Sequence, residues 1–503
     1  MNLRAVLWLL GCVLLLLAAF TLVPAGVALL YGERDGALAC AAAAVVTALP
    51  GALLVWIHRG STKTPDGRVD FYRREGLAVV GLSWLVAAVA GALPFLFSGV
   101  LSSPIDAFFE SASGFTTTGS TILQAEQIDG LPRGIAFWRS FTHWLGGIGI
   151  VLVFVVLFPA GGRSLFRSEV PGIAREAVQQ RVRDSAMALV KIYVGLTVLQ
   201  VVLLVLAGLD LYEACIHAFG TLATGGFSNH SASVAYFGSW LVEAIIIAFM
   251  FAAGINFAVY DVFIRLGPRQ GWRNLLRSPE LHTYVVMIVG STLVLTLVLW
   301  FWGGSNGAAG SDLPDYGRAS LAVRDASFCV VSLQTSTGYG TADFDRWPEF
   351  ARMLLMFLAV VGATAGSTGG GLKVIRFLIL AKASLRGFRN FARPRAIHNV
   401  RVGPHTLEES TVAAVTGYCG MWALVFAAGT LALASMDIEP TTAATSVLAT
   451  LNNIGPGLDA VGPSRNFAFM PDPAKVLLSL FMILGRLEFY AVVVLFTPRF
   501  WRH

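Results

Sequence analysis

The segment FESASGFTTTGS, residues 109–120, ends in a Thr-Gly phrase that returns three more times along the chain. The later phrases lie in AFGTLATGGFS (218–228), SLQTSTGYGT (332–341) and, in a looser form, TLNNIGPG (450–457). We call the glycine that ends each phrase its marker glycine; these are Gly119, Gly225, Gly338 and Gly455. Successive marker glycines are 106, 113 and 117 residues apart. Such near-equal spacing predicts that each phrase belongs to a repeated structural unit.

The composition is typical of a polytopic membrane protein. Of the 503 residues, 56% are hydrophobic and only 13% are charged, which is too apolar for a water-soluble core. Backbone groups in lipid must form their hydrogen bonds within their own segment, and this favours helices. We therefore predict an all-α membrane protein.

The positions of the basic residues predict the topology. Lys and Arg cluster in alternate connections, at 59–74, 163–191, 265–277 and 373–401. The positive-inside rule places these connections and both termini in the cytoplasm, and all four phrases on the outer side. The net charge of +6 is thereby explained by topology and the lipid surface, and no nucleic-acid partner is expected. The five cysteines form no C-x-x-C pair and are interpreted as buried apolar residues.

The apolar runs predict ten full spans. The chain opens with a helical hairpin over 5–31 and 37–57, whose first apolar run is too long for a signal peptide. Each repeat then has a spanning helix, a segment too short to span, the phrase and a second spanning helix. The predicted spans of the four repeats are 76–99 and 134–159, 185–209 and 236–264, 281–303 and 348–381, and 409–436 and 474–497. The corresponding units are the hairpin 1–58 and the pore repeats 59–163, 164–265, 266–385 and 386–503.

The short segments predict re-entrant half-helices that enter the membrane from outside. Asp106, Glu213 and Asp325 lie twelve or thirteen residues before their marker glycines, and Thr442 holds this place in the fourth repeat. A carboxylate at a helix N-terminus is stabilised by the helix dipole, and a Thr can cap the free N–H groups there without a charge. The negative end of each helix dipole would then point at the phrase and favour a cation there.

Four converging phrases predict an ion filter of backbone carbonyls. Carbonyl oxygens replace the hydration shell of a bare cation, and glycine permits the torsions that turn them inward. The phrase STGYG is close to the TVGYG filter of potassium channels. The alternative, glycines that only allow close helix packing, does not explain four outer phrases after short segments. The predicted ligands of a potassium ion are the carbonyls of Thr117, Thr118, Ala223, Thr224, Ser336, Thr337, Asn453 and Ile454.

The chain resembles the Trk/Ktr/HKT superfamily of potassium transporters, and within it the bacterial TrkH type. The resemblance covers nearly the whole chain and rests on the phrases and on FTHWLGGIGIVL (141–152), GSTGGGLKVIRF (366–377) and GRLEFY (485–490). It implies a pseudo-fourfold, channel-like fold in the bacterial inner membrane and a homodimer. It also implies cytoplasmic TrkA-type regulatory subunits that bind nucleotides. This chain has no nucleotide-binding motif of its own, so nucleotide control is expected from a separate polypeptide.

The resemblance also bears on selectivity. Glycine at the first filter position, here Gly119, goes with potassium, whereas serine is associated with sodium transport in some relatives. The fourth phrase departs from the pattern because Asn453 and Ile454 precede Gly455. This weakens the fourth ion site more than the family assignment.

A glycine-rich interruption in the third repeat predicts a gate. Residues 362–371, GATAGSTGGG, are half glycine, so a continuous helix is disfavoured. Unwound backbone at membrane depth lines a cavity or is buried in protein, which places this loop in the pore below the filter. A packing hinge is the simpler alternative. The predicted gate residues of this loop are Gly362, Gly366, Ser367, Thr368, Gly369, Gly370 and Gly371.

Arg486 lies deep in the last predicted span. A charge at that depth is costly unless it faces protein or water. We predict that it faces the pore near the carbonyls of the glycine loop and limits outward leak.

Two alternatives to a gated channel remain open at the level of sequence. A proton- or sodium-coupled symporter needs a titratable carboxylate in the pathway, and the candidates are Glu243, Asp261 and Glu488. An intramembrane enzyme needs a nucleophile, an acid-base pair or a metal set, and none is visible. His143 and His217, within apolar segments, are interpreted as structural residues.

Overall fold

The computed structural model describes residues 2–59, 73–157, 175–306, 316–393 and 398–487, together with the single residues 489, 495, 497 and 500. The regular structure of this described part is helical except for one small hairpin, β1 (Arg401–Val402) with β2 (His405–Thr406), which pairs antiparallel. The prediction of an all-α membrane protein is confirmed.

The N-terminal hairpin consists of α1 (Leu3–Leu30) and α2 (Arg34–Ile57), as predicted. The helices cross at two glycines. A side-chain carbon added at Gly11 would lie 2.9 Å from the carbonyl oxygen of Gly51, so only glycine allows this approach. Small residues at crossings are the usual means of close packing between helices in lipid.

The remaining helices repeat one order: long helix, short helix, phrase, second helix. The first two units contain α3 (Arg73–Phe97), α4 (Pro104–Phe115), α5 (Ala125–Asp129), α6 (Arg133–Leu157), α7 (Arg175–Leu206), α8 (Leu211–Leu222), α9 (Trp240–Ala253), α10 (Phe257–Leu266) and α11 (Pro268–Leu275). The last two contain α12 (Pro279–Asn306), α13 (Ala319–Gln334), α14 (Glu349–Val361), α15 (Val374–Ala392), α16 (Glu409–Ala434), α17 (Pro440–Leu451) and α18 (Asp472–Arg486).

The short helices α4, α8, α13 and α17 have 12, 12, 16 and 12 residues. At ~1.5 Å per residue, twelve residues cover roughly 18 Å, well short of a bilayer core. Their N-termini differ in part from prediction. Because α13 begins at Ala319, Asp325 lies in its second turn, where it accepts hydrogen bonds from Tyr316 and Thr341. In α17 the cap is Glu439, whose carboxylate accepts the N–H of Thr442.

Within the described part of the chain, fewer helices qualify as full spans than the predicted ten. Among the described residues, six helices are long and apolar enough to cross a membrane: α1, α2, α3, α7, α12 and α16. A seventh span results if α9 and α10 are counted together, but they meet at an angle of 89°. The prediction of one continuous helix over 236–264 is therefore wrong. The last predicted span, 474–497, is helical to Arg486, and most of its remaining residues lie outside the described part of the chain.

Candidate functional site

Each short helix ends in the same backbone motif, and this motif forms the phrase. In α4 the N–H of Thr117 donates to Gly114 O, and the N–H of Thr118 donates to Ser113 O at 2.9 Å. This pair of hydrogen bonds defines a Schellman cap. The hydrogen bond of Thr118 has equivalents in the other three phrases, at 2.8 to 2.9 Å. They are donated by the N–H groups of Gly225, Thr337 and Ile454. The four phrases thus leave their helices in one conformation.

The first residue of each cap is left-handed although none is glycine. Thr117, Thr224, Ser336 and Asn453 have φ of 52°, 56°, 58° and 52°. Glycine is the usual residue here because a β-carbon in this region costs about 1–2 kcal/mol. Four such residues at equivalent places mark strained backbone, a feature that concentrates at functional sites.

The shared motif corrects the register of the second phrase. Two positions after each left-handed residue comes a glycine with positive φ: Gly119 (86°), Gly226 (77°), Gly338 (80°) and Gly455 (99°). The prediction that Gly225 is the marker glycine is therefore wrong, and Gly226 takes that place. Ala223 ends its helix in the right-handed region, so Thr224 and Gly225 hold the places of Thr117 and Thr118, one residue after the predicted pair Ala223 and Thr224. The sequence offered a signal, since only this phrase carries two consecutive glycines.

The four phrases meet in a closed ring. A side-chain carbon added at Gly119 would lie 2.2 Å from the carbonyl oxygen of Gly225, and one at Gly226 would lie 2.1 Å from that of Thr337. The ring continues with Gly338 against Ile454 O (2.1 Å) and closes with Gly455 against Thr118 O (3.0 Å). Each marker glycine therefore faces a carbonyl of the next phrase. A side chain at Gly119, Gly226 or Gly338 would displace that carbonyl, whereas the contact at Gly455 is less close.

Asn453 fastens the fourth phrase to its neighbours. Its Nδ2 donates hydrogen bonds to the hydroxyl of Thr118 and the carbonyl of Met482, both at 2.9 Å. The hydroxyl of Ser120 donates to Gly455 O at 3.0 Å across the same junction. The residue that departs from the pattern thus joins the last phrase to the first.

A buried ion pair between Glu110 and Arg139 contacts the chain that follows the first and second phrases. Glu110 is fully buried and accepts from Arg139 Nε at 2.7 Å and from the N–H of Ile122 at 3.1 Å. Arg139 also donates to Ser228 O at 2.8 Å, and its guanidinium stacks 3.6 Å over the Phe227 ring. The pair therefore joins the outgoing chains of both phrases. The sequence patterns did not single it out, although two opposite charges in apolar helices were the signal.

His143 is a structural residue, as predicted. Its Nδ1 lies 2.7 Å from Gly114 O, an acceptor, and its Nε2 accepts the N–H of Phe227 at 3.3 Å. These two bonds fix a neutral ring protonated at Nδ1. A side-chain carbon at Gly225 would lie 2.4 Å from the ring, so the histidine explains why this position is also glycine.

A vestibule opens on one side of the ring and the glycine loop lies on the other. The vestibule is lined by Gly119, Gly226, Gly338 and Gly455 together with residues that come after them in the chain. The loop instead contacts residues that precede them: Gln334 donates to Gly362 O at 2.6 Å, and Gly370 packs against Asn452. The ring therefore separates the two.

The glycine loop joins α14 to α15 and is anchored in the bend between α9 and α10. Thr364 donates to Gly254 O through its N–H (3.1 Å) and its hydroxyl (2.9 Å), and the N–H of Phe257 donates to Gly366 O at 3.0 Å. Asn256 caps α10. The carbonyl of Gly254, left free by the helix break, is thus used by the loop. The interruption predicted for the third unit is matched by one in the second that was not predicted.

Arg486 is the last residue of α18 and is 4% exposed. Its Nη1 donates to the carbonyl of Thr368 in the loop at 2.7 Å, and Nη2 donates to Gly146 O at 3.4 Å. The hydroxyl of Thr368 in turn donates to Leu222 O at 2.9 Å. The loop is therefore held between the second, third and fourth units, with Arg486 beneath the ring.

The candidate coupling carboxylates are paired. Glu243 accepts a two-pronged interaction from Arg324, and Asp261 accepts from Arg265 at 2.7 Å. Glu488 lies outside the described residues. Within the described part of the chain, no group of three or more His, Cys, Asp or Glu side chains is arranged to hold a metal ion. The site is thus built of backbone oxygens and hydroxyls.

The fold and the site define a multi-pass membrane protein with four re-entrant phrases closed into a ring, the architecture of an ion-conducting protein. A family model described as "Cation transport protein", TrkH, matches residues 41–503. The chain is 38% identical to the Trk system potassium uptake protein TrkH of Escherichia coli K12 and 36% to that of Vibrio parahaemolyticus, with full coverage of both chains. It also matches the crystal structure of the potassium transporter TrkH from Vibrio parahaemolyticus, with a TM-score of 0.87, 34% identity and full coverage of both chains.

The chain belongs to the TrkH family of cation transport proteins. The resemblance inferred from its motifs is confirmed. Members of this family are transporters, and the prediction that the chain is not an enzyme is confirmed as well.

Proposed function

We propose that the chain is the potassium-translocating membrane subunit of a Trk-type uptake system. The observation that carries this is the closed ring of four phrases, in which each marker glycine faces a carbonyl of the next. A ring of backbone carbonyls suits a dehydrated monovalent cation. The relatives named as potassium uptake proteins support potassium as that cation.

In this proposal the ion ligands are the carbonyls of the left-handed residue and of the residue after it in each phrase. These residues are Thr117, Thr118, Thr224, Gly225, Ser336, Thr337, Asn453 and Ile454. The gate is the loop 362–371 with Arg486, which together close the path below the ring. Permeation in this proposal is channel-like, which is supported by the pairing of the two described coupling candidates, Glu243 and Asp261, with arginines.

The assembly we propose is a homodimer in the bacterial inner membrane with both termini in the cytoplasm. A separate TrkA-type nucleotide-binding subunit would supply regulation. The names of the relatives, which describe components of a Trk system, support the presence of further subunits.

The test is growth at limiting potassium of cells that lack their own potassium uptake systems, with the regulator co-expressed. Wild type should restore growth and Gly119→Ser should not, because a side chain at this glycine would lie 2.2 Å from Gly225 O. Gly99→Ser is the matched control: Gly99 also has positive φ, 74°, but nothing within 4 Å, so growth should equal wild type. No growth with wild type would contradict the proposed function.

A further inference from the structure

The hydroxyl of Ser336 connects the glycine loop to the third phrase of the ring. Ser336 is fully buried, and its Oγ accepts the N–H of Gly370 at 2.5 Å while donating to Thr335 O at 2.6 Å. Its backbone is one of the four left-handed positions. The residue therefore belongs to the third phrase by its main chain and to the loop by its side chain.

The three equivalent residues make no such contact in the described structure. The hydroxyl of Thr224 donates to Ala223 O at 2.6 Å, as that of Ser336 does to Thr335, but accepts nothing from the loop. The amide of Asn453 bonds to Thr118 and Met482, and the hydroxyl of Thr117 has no hydrogen-bond partner among the described residues. Among these four positions as described, Ser336 alone bonds to the loop.

The packing explains why this position is serine. A side-chain carbon added at Gly369 would lie 2.8 Å from Thr335 O and 3.4 Å from Ser336 Oγ, so the loop backbone rests directly on this residue. Threonine would carry an additional methyl group into this contact. Serine is the smallest side chain that provides a hydroxyl acceptor.

We propose that the hydroxyl of Ser336 couples the gate to the filter. With the loop in place, the hydroxyl accepts from Gly370 and the third phrase is tied to the loop. When the loop withdraws, the hydroxyl loses this donor and the third phrase is released. This inference rests on the proposed function, since it requires that the loop closes a conducting ring.

Single-channel recording of the purified full-length protein in planar bilayers, with potassium as the ion and without regulator, tests the coupling. Ser336→Ala should raise the ratio of open to closed time about fivefold, the shift that the loss of one ordinary hydrogen bond produces. Ser336→Gly should do the same, and because glycine accepts the left-handed backbone freely this variant folds without strain. Ser435→Ala, at an exposed helix end, is the control and should give the wild-type ratio of open to closed time.

Two comparisons separate coupling from a general filter defect. Ser446→Ala removes a fully buried hydroxyl that donates to Thr442 O within α17, outside the proposed ion ligands and the loop; an equal rise in open time there would contradict the proposal. In a protein that already carries Gly370→Ala, which displaces the donor, Ser336→Ala should add no further opening, whereas a full additional fivefold rise would overturn the coupling. Wild-type open time in both Ser336 variants would also overturn it. A lack of potassium current in every variant would instead contradict the proposed function itself.

Discussion

The glycines of the four phrases are needed for a reason that lies in the neighbouring phrase. The left-handed φ of Gly119 could be reached by other residues at a cost, as Thr117 shows two positions earlier. A side chain at Gly119 would also meet Gly225 O at 2.2 Å, and no rotamer relieves a contact made by the β-carbon itself. The equal spacing of the phrases predicted the ring, but the register of the second phrase depends on contacts with His143 that a linear sequence does not display.

Arg486 carries a prediction at the same scale. Arg486→Ala removes the hydrogen bond to Thr368 O, and a bond from a charged donor contributes about 1.5–3 kcal/mol. It also removes a positive charge from beneath a cation path. Both changes act in one direction, so potassium efflux from loaded vesicles should rise at least about tenfold, with weaker discrimination between potassium and sodium.

Arg486→Lys separates the two causes. Lysine keeps the charge but cannot bond to Thr368 and Gly146 in the same two-pronged way. Efflux between the wild-type and alanine values would show that charge and anchoring both contribute. Arg265→Ala, at a 55% exposed side chain, is the control for loss of a positive charge. Unchanged efflux and ion preference in Arg486→Ala would exclude a role for Arg486 as a barrier.

At the scale of elements, the interruption between α14 and α15 is hydrogen-bonded to the bend between α9 and α10. The loop between α14 and α15 was predictable because half of residues 362–371 are glycine. The bend between α9 and α10 was not, because FAAGINFAVY remains apolar and contains a single glycine. The structure shows a tertiary contact at the bend: the carbonyl of Gly254 accepts hydrogen bonds from Thr364 of the loop. Gly254 followed by the capping Asn256 was the only local signal.

The loop itself yields a prediction through Gly370. A side-chain carbon there would lie 2.0 Å from Asn452 O, a backbone atom that cannot move without shifting the fourth phrase. Overpacking of this kind costs about 1–3 kcal/mol. Gly370→Ala should therefore push the loop out of its seat and increase potassium flux into vesicles without regulator. Gly387→Ala in α15 is the matched control, because nothing lies within 4 Å of Gly387 and flux should stay at the wild-type level. A fall in flux with Gly370→Ala would mean that the loop supports the path instead of closing it.

At the scale of the whole molecule, the distribution of charge and apolar runs predicted the class of protein, the opening hairpin and the four short helices. Among the described residues, fewer helices qualify as spans than the predicted ten, and run length in the sequence did not reveal the bend between α9 and α10. The 89° bend between α9 and α10 and the end of α18 at Arg486 both lie in contact with the loop. The second helices of the second and fourth units thus contact the glycine loop.

Residues near the two ends of the chain lie together. Val6 and Leu10 of α1 form one buried cluster with Ala78 of α3 and Phe500, which supports the prediction that both termini are on the same side of the membrane. The basic residues of the connections predict that this side is the cytoplasm. Reporters fused to Met1 and to His503 should therefore both be active as cytoplasmic fluorescent proteins and inactive as periplasmic alkaline phosphatase.

A membrane-impermeant thiol reagent should label Glu126→Cys in intact cells and His405→Cys only after lysis, with wild type giving the background of the five native cysteines. Opposite labelling of these two positions would reverse the orientation, and reporters active on different sides would be incompatible with the contact between Phe500 and α1.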